Sequence, residues 1–204
     1  MPAGYASSLE HLVDELARAD QLVRAQVERW RQSIAQTKPD QAWGMAYVDD
    51  AEVGRYLRTP FRLAGQDPSA DSLGAPYRKA AQDRSRDIDA RRQATADDVP
   101  LRLDLLVRRF GLDDTERDLL LLCLLPELDG RFRRLYGYLH DEVSRGYATV
   151  GLLDEMLGPA FAARRLLGLD SRLVENQLVM LGAWTAAEGP ACAQCASRTG
   201  WWTS

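Results

Sequence analysis

RFGLDDTERDLLLLCLLPELDGRFRRLYGYLHDEVSRGYATVGLLDEML, residues 109–157, decides the fold of this chain. Asp113 followed three residues later by Glu116 is a capping-box pattern, and it opens a leucine-rich helix from Asp114 to Leu125. Pro126 is expected to end that helix and Asp129 to begin the next. In the second helix, over 129–144, Phe132, Leu135, Tyr136, Leu139 and Val143 fall on one face at helical spacing. Gly137 interrupts that helix, and close helix packing is sufficient reason for it. Thr149 can cap a short helix with Leu152, Leu153, Met156 and Leu157 inward, stopped by Gly158-Pro159.

Outward from this stretch, Leu101, Leu103, Leu105, Leu106, Val107 and Phe110 open the unit, with Gly111 as their stop. Downstream, Phe161–Leu167 makes a turn or two of helix, and Asp170 or Ser171 restarts one. Leu178–Ala183 changes character and reads as a strand, with Trp184 after it. Compact helices followed by a strand suggest a winged-helix-like unit, or else a helical bundle with a terminal hairpin.

Upstream, Leu9, Val13, Leu16, Val23, Val27, Trp30 and Ile34 recur at spacings of three, four and seven. They predict one long helix from Ser7 to Ala35 packed on its own chain, with an intermolecular coiled coil as the alternative. Ser8 is the expected cap, with His11 where a capping box would place Glu. Lys38-Pro39-Asp40 closes the helix. In Trp43–Arg58 a short extended piece precedes a helix capped by Asp49 or Asp50 and carrying Val53, Tyr56 and Leu57. Gly65–Pro76 is an irregular loop by composition. Arg78–Asp98 holds almost nothing large and apolar beyond Ile88, so it could form a charged helix without anchoring a core. The expected organisation is a helical region over 1–84, a charged linker over 85–98, a winged-helix-like domain over 99–183 and an irregular tail over 184–204. The fold class is mainly α with a short terminal β element.

Lys+Arg 26 against Asp+Glu 30 gives a net charge of -4, which offers no global attraction to nucleic acid. A local basic patch is the exception to test. Arg131 and Arg134, with Arg133 between them, lie on the third helix of the second half, where a winged-helix protein would present groove-reading residues. Arg145 extends the patch. The plainer reading is a set of solvated arginines balanced by Glu127, Asp129, Asp141 and Glu142.

Motifs for catalysis are missing. No GxxxxGK[ST] occurs, and Lys38 and Lys79 both stand outside any glycine-rich loop. No HExxH or GxSxG occurs either. His11 and His140 stand alone and are read as surface or cap residues rather than bases. Cys123, inside an apolar run, is a buried thiol. Cys192 and Cys195 form CAQC, half of what a structural zinc site needs. Two surface thiols are the plain reading; a zinc site completed by a partner, or a redox pair, are the others. No catalytic set and no cofactor are expected. The start of the chain lacks a secretory pattern, and no segment approaches ~18 consecutive apolar residues, so a cytoplasmic, non-membrane protein is the expectation.

The central stretch resembles the N-terminal winged-helix-type region of a bacterial class of AAA+ ATPases, which includes members encoded beside contractile injection systems. Phe110-Gly111-Leu112 and Glu116–Leu122 match its phenylalanine-containing turn into a leucine helix. Pro126–Asp129 matches its proline-glutamate-leucine-aspartate step. Phe132–Tyr136, continuing to Leu139, matches a phenylalanine-arginine-leucine-tyrosine helix, and Thr149–Leu152 matches a threonine-valine-glycine-leucine helix start. ELARADQLVRAQVERWR, residues 15–31, is similar to the leading helix of that class. WGMAYVDDAEVGRYL, residues 43–57, is similar to a following segment, with Met45 and Ala46 departing from the usual pair. Relatives of this class continue into an ATP-binding module, none of whose motifs is present here. The resemblance implies a non-catalytic protein-interaction or regulatory domain of an AAA+-type ATPase system. Its partner would be an ATPase module or an injection-system component, and the chain itself would neither bind nor hydrolyse ATP. A nucleic-acid-binding winged-helix regulator using Arg131, Arg134 and Arg145 is the competing expectation.

Overall fold

Ser7, one residue before the expected cap, accepts the amide of Glu10 at 3.2 Å, and Glu10 accepts the amide of Ala6 at 3.0 Å. Helix α1 (Ser8–Thr37) starts there. The Ser8 hydroxyl accepts the amide of Arg102 at 3.0 Å instead, and so ties α1 to the second half of the chain. The computed structural model describes residues 2–37, 54, 57–58, 68–158, 162–168, 170–182 and 192–195. The expectations for Trp43–Arg58 therefore fall almost wholly outside the described residues.

Helix α2 (Pro68–Gln93) corrects two readings. The stretch expected as a loop up to Pro76 is helical from Pro68, which suits a first helical position because its missing N–H is not needed there. The first part of the expected charged linker, 85–93, is the last turns of the same helix. This helix needs few large apolar residues because α1 supplies them. Ala81 and Ile88 are buried, and a Cβ on Gly74 would stand 3.4 Å from the Ala25 Cβ. Its outer face is held by Asp83, which pairs with Lys79 at 2.8 Å and Arg86 at 3.0 Å at helical spacing.

The apolar stripe of α1 also needs correcting. Ala19, Val23 and Val27 are buried, but Leu9 is 68% and Val13 54% exposed. The fully buried positions over the first three turns are His11, Glu15 and Arg18, with Leu12 and Leu16 packed against the core beside them. The three polar residues stand at i, i+4 and i+7, as regular as the apolar series beside them.

Helix α3 (Arg102–Phe110) ends at Gly111, whose φ of 63° is the left-handed cap that glycine adopts without strain. Helix α4 (Asp114–Leu128) begins with the full capping box: the Glu116 amide reaches the Asp113 carboxylate at 2.8 Å, and Glu116 accepts the Asp113 amide at 2.8 Å. Pro126 does not end this helix, contrary to expectation. Proline lacks the N–H that would bond Leu122 four residues back, which orphans a buried carbonyl. The Tyr136 hydroxyl fills the vacancy, donating to the Leu122 carbonyl at 2.7 Å. Burial pushes the Tyr136 phenol well above its usual range, so it remains a donor. Tyr136→Phe should therefore destabilise by about 1–2 kcal/mol, seen as a lower urea midpoint at unchanged slope.

Helix α5 (Gly130–Leu139) is capped by Asp129, as expected, and buries Phe132, Tyr136 and Leu139. It stops before Val143, which is 94% exposed. Asp141 takes a φ of 53° and breaks the helix, and the following turn folds back so that Val143 and Glu142 carbonyls lie 3.1 and 3.2 Å from where a Gly137 Cβ would be. Gly137 is there for that turn, not for a neighbouring helix.

Strand β1 (Ala148–Thr149) leads into α6 (Val150–Leu157), where Thr149 accepts the Leu152 amide at 3.2 Å as expected. Helices α7 (Ala162–Leu166) and α8 (Arg172–Glu175) follow, the latter capped by Ser171. Strand β2 (Val179–Gly182) matches the expected strand. The tail, expected to be irregular, instead contributes β3 (Cys192–Cys195), the central strand of an antiparallel sheet ordered β1-β3-β2. Ala148 pairs with Ala193 and Val179 with Cys195. Helices followed by a hairpin whose second strand returns to β1 make a winged-helix architecture. Its core, Leu119–Leu125 with Phe132, Tyr136, Leu153, Met156 and Leu173, includes Ala19, Val23 and Val27 of α1. The first helix thus belongs to the same core and is not a separate element.

Candidate functional site

In a winged-helix arrangement the groove-reading position is the second helix of the pair ahead of the hairpin. Three helices, α6, α7 and α8, lie between β1 and β2, and the helix carrying Arg131 and Arg134 precedes β1.

The joint between α6 and α7 is built around Asp154, which is buried. Its Oδ1 accepts the amides of Ala163 at 2.8 Å and Arg164 at 3.3 Å, and its Oδ2 pairs with Arg164 Nε at 3.0 Å. One carboxylate thereby holds the start of α7 and fixes the arginine that α7 would otherwise present. Arg172 is also occupied: it donates to the Gly111 carbonyl and lies 3.8 Å from Glu116. Arg165 remains exposed on this face, with Asp170 and Glu175 following in sequence.

The expected patch is likewise tied up by its neighbours. Arg131 pairs with Asp129 at 2.7 Å and lies over the Phe132 ring. Arg133 donates to the Pro126 carbonyl at 2.9 Å and stands 3.5 Å from Glu127. Arg145 pairs with Glu142, three residues before it. Arg134 is exposed on α5. Each pairing is the local balance by acidic neighbours that the plainer reading described, and none points a guanidinium cluster one way.

His140 caps the end of α5 with Nε2 3.1 Å from the Tyr147 carbonyl, and burial lowers its imidazole from the ordinary value. His11 is not a surface residue but fully enclosed, beside Glu15 and Asp104. Cys123 is buried as expected. The side chains of Cys192 and Cys195 lie outside the described residues. Among the described residues no cluster of His, Cys, Asp and Glu suits a metal ion, and no helix is long and apolar enough to cross a membrane. The groove between α2 and the end of α6 is lined by Arg78, Lys79, Asp83, Arg86 and Gly158, with Lys79 and Arg86 both turned to Asp83.

Sequence reasoning missed Asp154 and His11. Asp154 carries no local signal, because its partners lie across the turn that it shapes. His11 does carry one, in the polar spacing of His11, Glu15 and Arg18.

A family model described as "Winged helix domain, variant" matches residues 1–195. Comparison with curated proteins and with solved structures returned no match.

Proposed function

The chain belongs to the variant winged-helix domain family, and from that premise we propose that it is a non-catalytic regulatory domain that docks on a protein partner. The observation that carries this reading is the occupied state of its arginines. Arg164 of α7 is held by Asp154, while Arg131, Arg133 and Arg145 are each held by an acidic neighbour. DNA affinity depends on lysines and arginines free to displace counterions from phosphates. A net charge of -4 works in the same direction. The partner proposed is an ATPase module of the AAA+ type, or an injection-system component associated with one. That finer step is supported by the resemblance of Arg109–Leu157.

Anisotropy titration of the chain with a labelled duplex at about 50 mM salt is the discriminating test. No binding tighter than about 10 μM is expected, since nonspecific winged-helix affinity would be strongest at low salt. Micromolar binding that weakens with salt and disappears in the double variant Arg164→Gln, Arg165→Gln would overturn protein docking in favour of nucleic-acid recognition. Loss on changing Arg131, Arg134 and Arg145 would do the same and would return the site to α5.

A further inference from the structure

The turn that ends α6 makes room for a guanidinium. Gly158 takes a φ of 89°, and a Cβ there would stand 3.2 Å from Arg78 Nη1 and 3.5 Å from its Nη2. Any other residue at 158 would be strained in its backbone and would crowd the arginine. Arg78 comes from α2, on a row with Gln82 and Arg86 at four-residue spacing, which places the three on one face. The neighbouring row is Ala75, Lys79 and Asp83. With Leu157 and Gly158 these two rows line a groove of about 720 Å³.

Among the described residues, Arg78 is the cation of this groove that lacks an anion. Its Nε and Nη2 are shut off from water and have no hydrogen-bond partner, so Nη1 is the nitrogen through which it meets solvent. Asp83 stands five residues on, a spacing at which helix side chains do not face each other. That carboxylate is taken by Lys79 at 2.8 Å and Arg86 at 3.0 Å. At the end of α6 the Glu155 carbonyl is taken by Arg29, and the Asp154 carbonyl by the Gly158 amide. A partly desolvated guanidinium without a counter-charge is unfavourable. A carboxylate arriving at Nη1 offsets that cost through a charge-assisted hydrogen bond, strengthened where water is partly excluded. Arg78, Lys79 and Arg86 against Asp83 leave the groove positive on a chain of net charge -4.

We propose that this groove is the face on which the partner docks, with a carboxylate of an acidic partner segment seated on Arg78. An apolar residue next to that carboxylate would lie on Ala75 and Leu157. The proposal rests on the protein-docking reading above and gives it a surface and a partner chemistry. A phosphodiester chain fits the groove less well. It needs several free cations in a row, whereas Asp83 keeps Lys79 and Arg86 engaged and repels a phosphate beside them. A Glu or Asp side chain brings one charge on a short apolar stem, which suits one unpaired cation beside an apolar wall.

The test titrates the isotope-labelled full chain with the blocked dipeptide acetyl-Glu-Leu-amide, its counterpart acetyl-Gln-Leu-amide and inorganic phosphate, read by NMR. The Arg78 Nε–H and Gly158 amide signals should move saturably with the glutamate peptide, at a Kd on the order of 1 mM. The glutamine peptide should bind about tenfold more weakly or worse, and phosphate more weakly than the glutamate peptide. Arg78→Gln should abolish the Gly158 response. Asp83→Asn, which frees Lys79 and Arg86 for the ligand, should tighten binding by about threefold. No saturable movement up to about 10 mM, equal binding of the two peptides, a response surviving in Arg78→Gln, or phosphate bound more tightly than the glutamate peptide would each overturn the proposal. Should Arg78→Gln not fold, Asp83→Asn decides, and unchanged or weaker binding there overturns it. Failure here and failure of protein docking are read apart. Duplex binding lost in Arg164→Gln, Arg165→Gln overturns docking itself, whereas a silent groove without duplex binding overturns only its place as the docking face.

Discussion

Asp154→Ala should lower the unfolding free energy by about 3 kcal/mol and the melting temperature by about 6–12 °C. The carboxylate caps α7 through two amides and anchors Arg164. Loss of a cap alone removes about 1 kcal/mol, and leaving a buried amide without an acceptor adds about 1–3 kcal/mol. Asp154→Asn keeps an acceptor oxygen and should lose only about 1 kcal/mol. Urea unfolding followed by circular dichroism separates the two variants. If alanine and asparagine proved equally mild, within about 0.5 kcal/mol of the parent, Asp154 would not be what sets the α6–α7 joint.

Glu15→Ala should be comparably severe, at about 3 kcal/mol. Glu15 faces Arg18, Arg117 and His11 in an enclosed site, and its removal leaves two guanidiniums sharing Asp118. Breaking a buried pair by removing one member is typically far worse than removing both. Replacing Glu15 and Arg18 together by methionine should accordingly destabilise less than Glu15→Ala, because Arg117 and Asp118 remain as a pair at 3.5 Å. Thermal melts of the single and double variants read the difference. A double variant less stable than the single would mean that the ions themselves, and not their balance, hold α1.

How far the sequence can be read depends on how far apart the interacting groups lie. Asp113 with Glu116, Thr149 with Leu152 and Ser171 with Val174 are legible, because each cap closes within three residues. Pro126 misleads because its substitute donor, Tyr136, arrives from the next helix. The charged helix from Arg78 is legible, but its first turns from Pro68 mislead, because the surface they pack on belongs to α1 and composition up to Pro76 shows only loop-forming residues. Where the arginines of α5 stand relative to the sheet is illegible for a similar reason: only the pairing of Ala148 with Ala193 shows that α5 precedes the first strand of the sheet. His11 is the avoidable miss. A polar series at 11, 15 and 18 competes with the apolar series at 9, 13 and 16; the polar residues take the fully buried positions, Leu9 and Val13 are exposed, and Leu16 packs on the core beside them.

The sheet order β1-β3-β2 has a consequence for the chain as the ribosome delivers it. Synthesis runs from the first residue onward, so β1 and β2 both emerge before the strand that joins them. Neither pairs with the other in the finished protein, and until residues 192–195 arrive each presents two open edges. The apolar helices from α1 to α6 can already condense in that interval, since nascent domains fold as their parts appear. Between the emergence of β2 and that of residues 192–195, Met180 and Leu181 lie on an unpaired strand, the condition under which strand edges recruit a neighbouring chain.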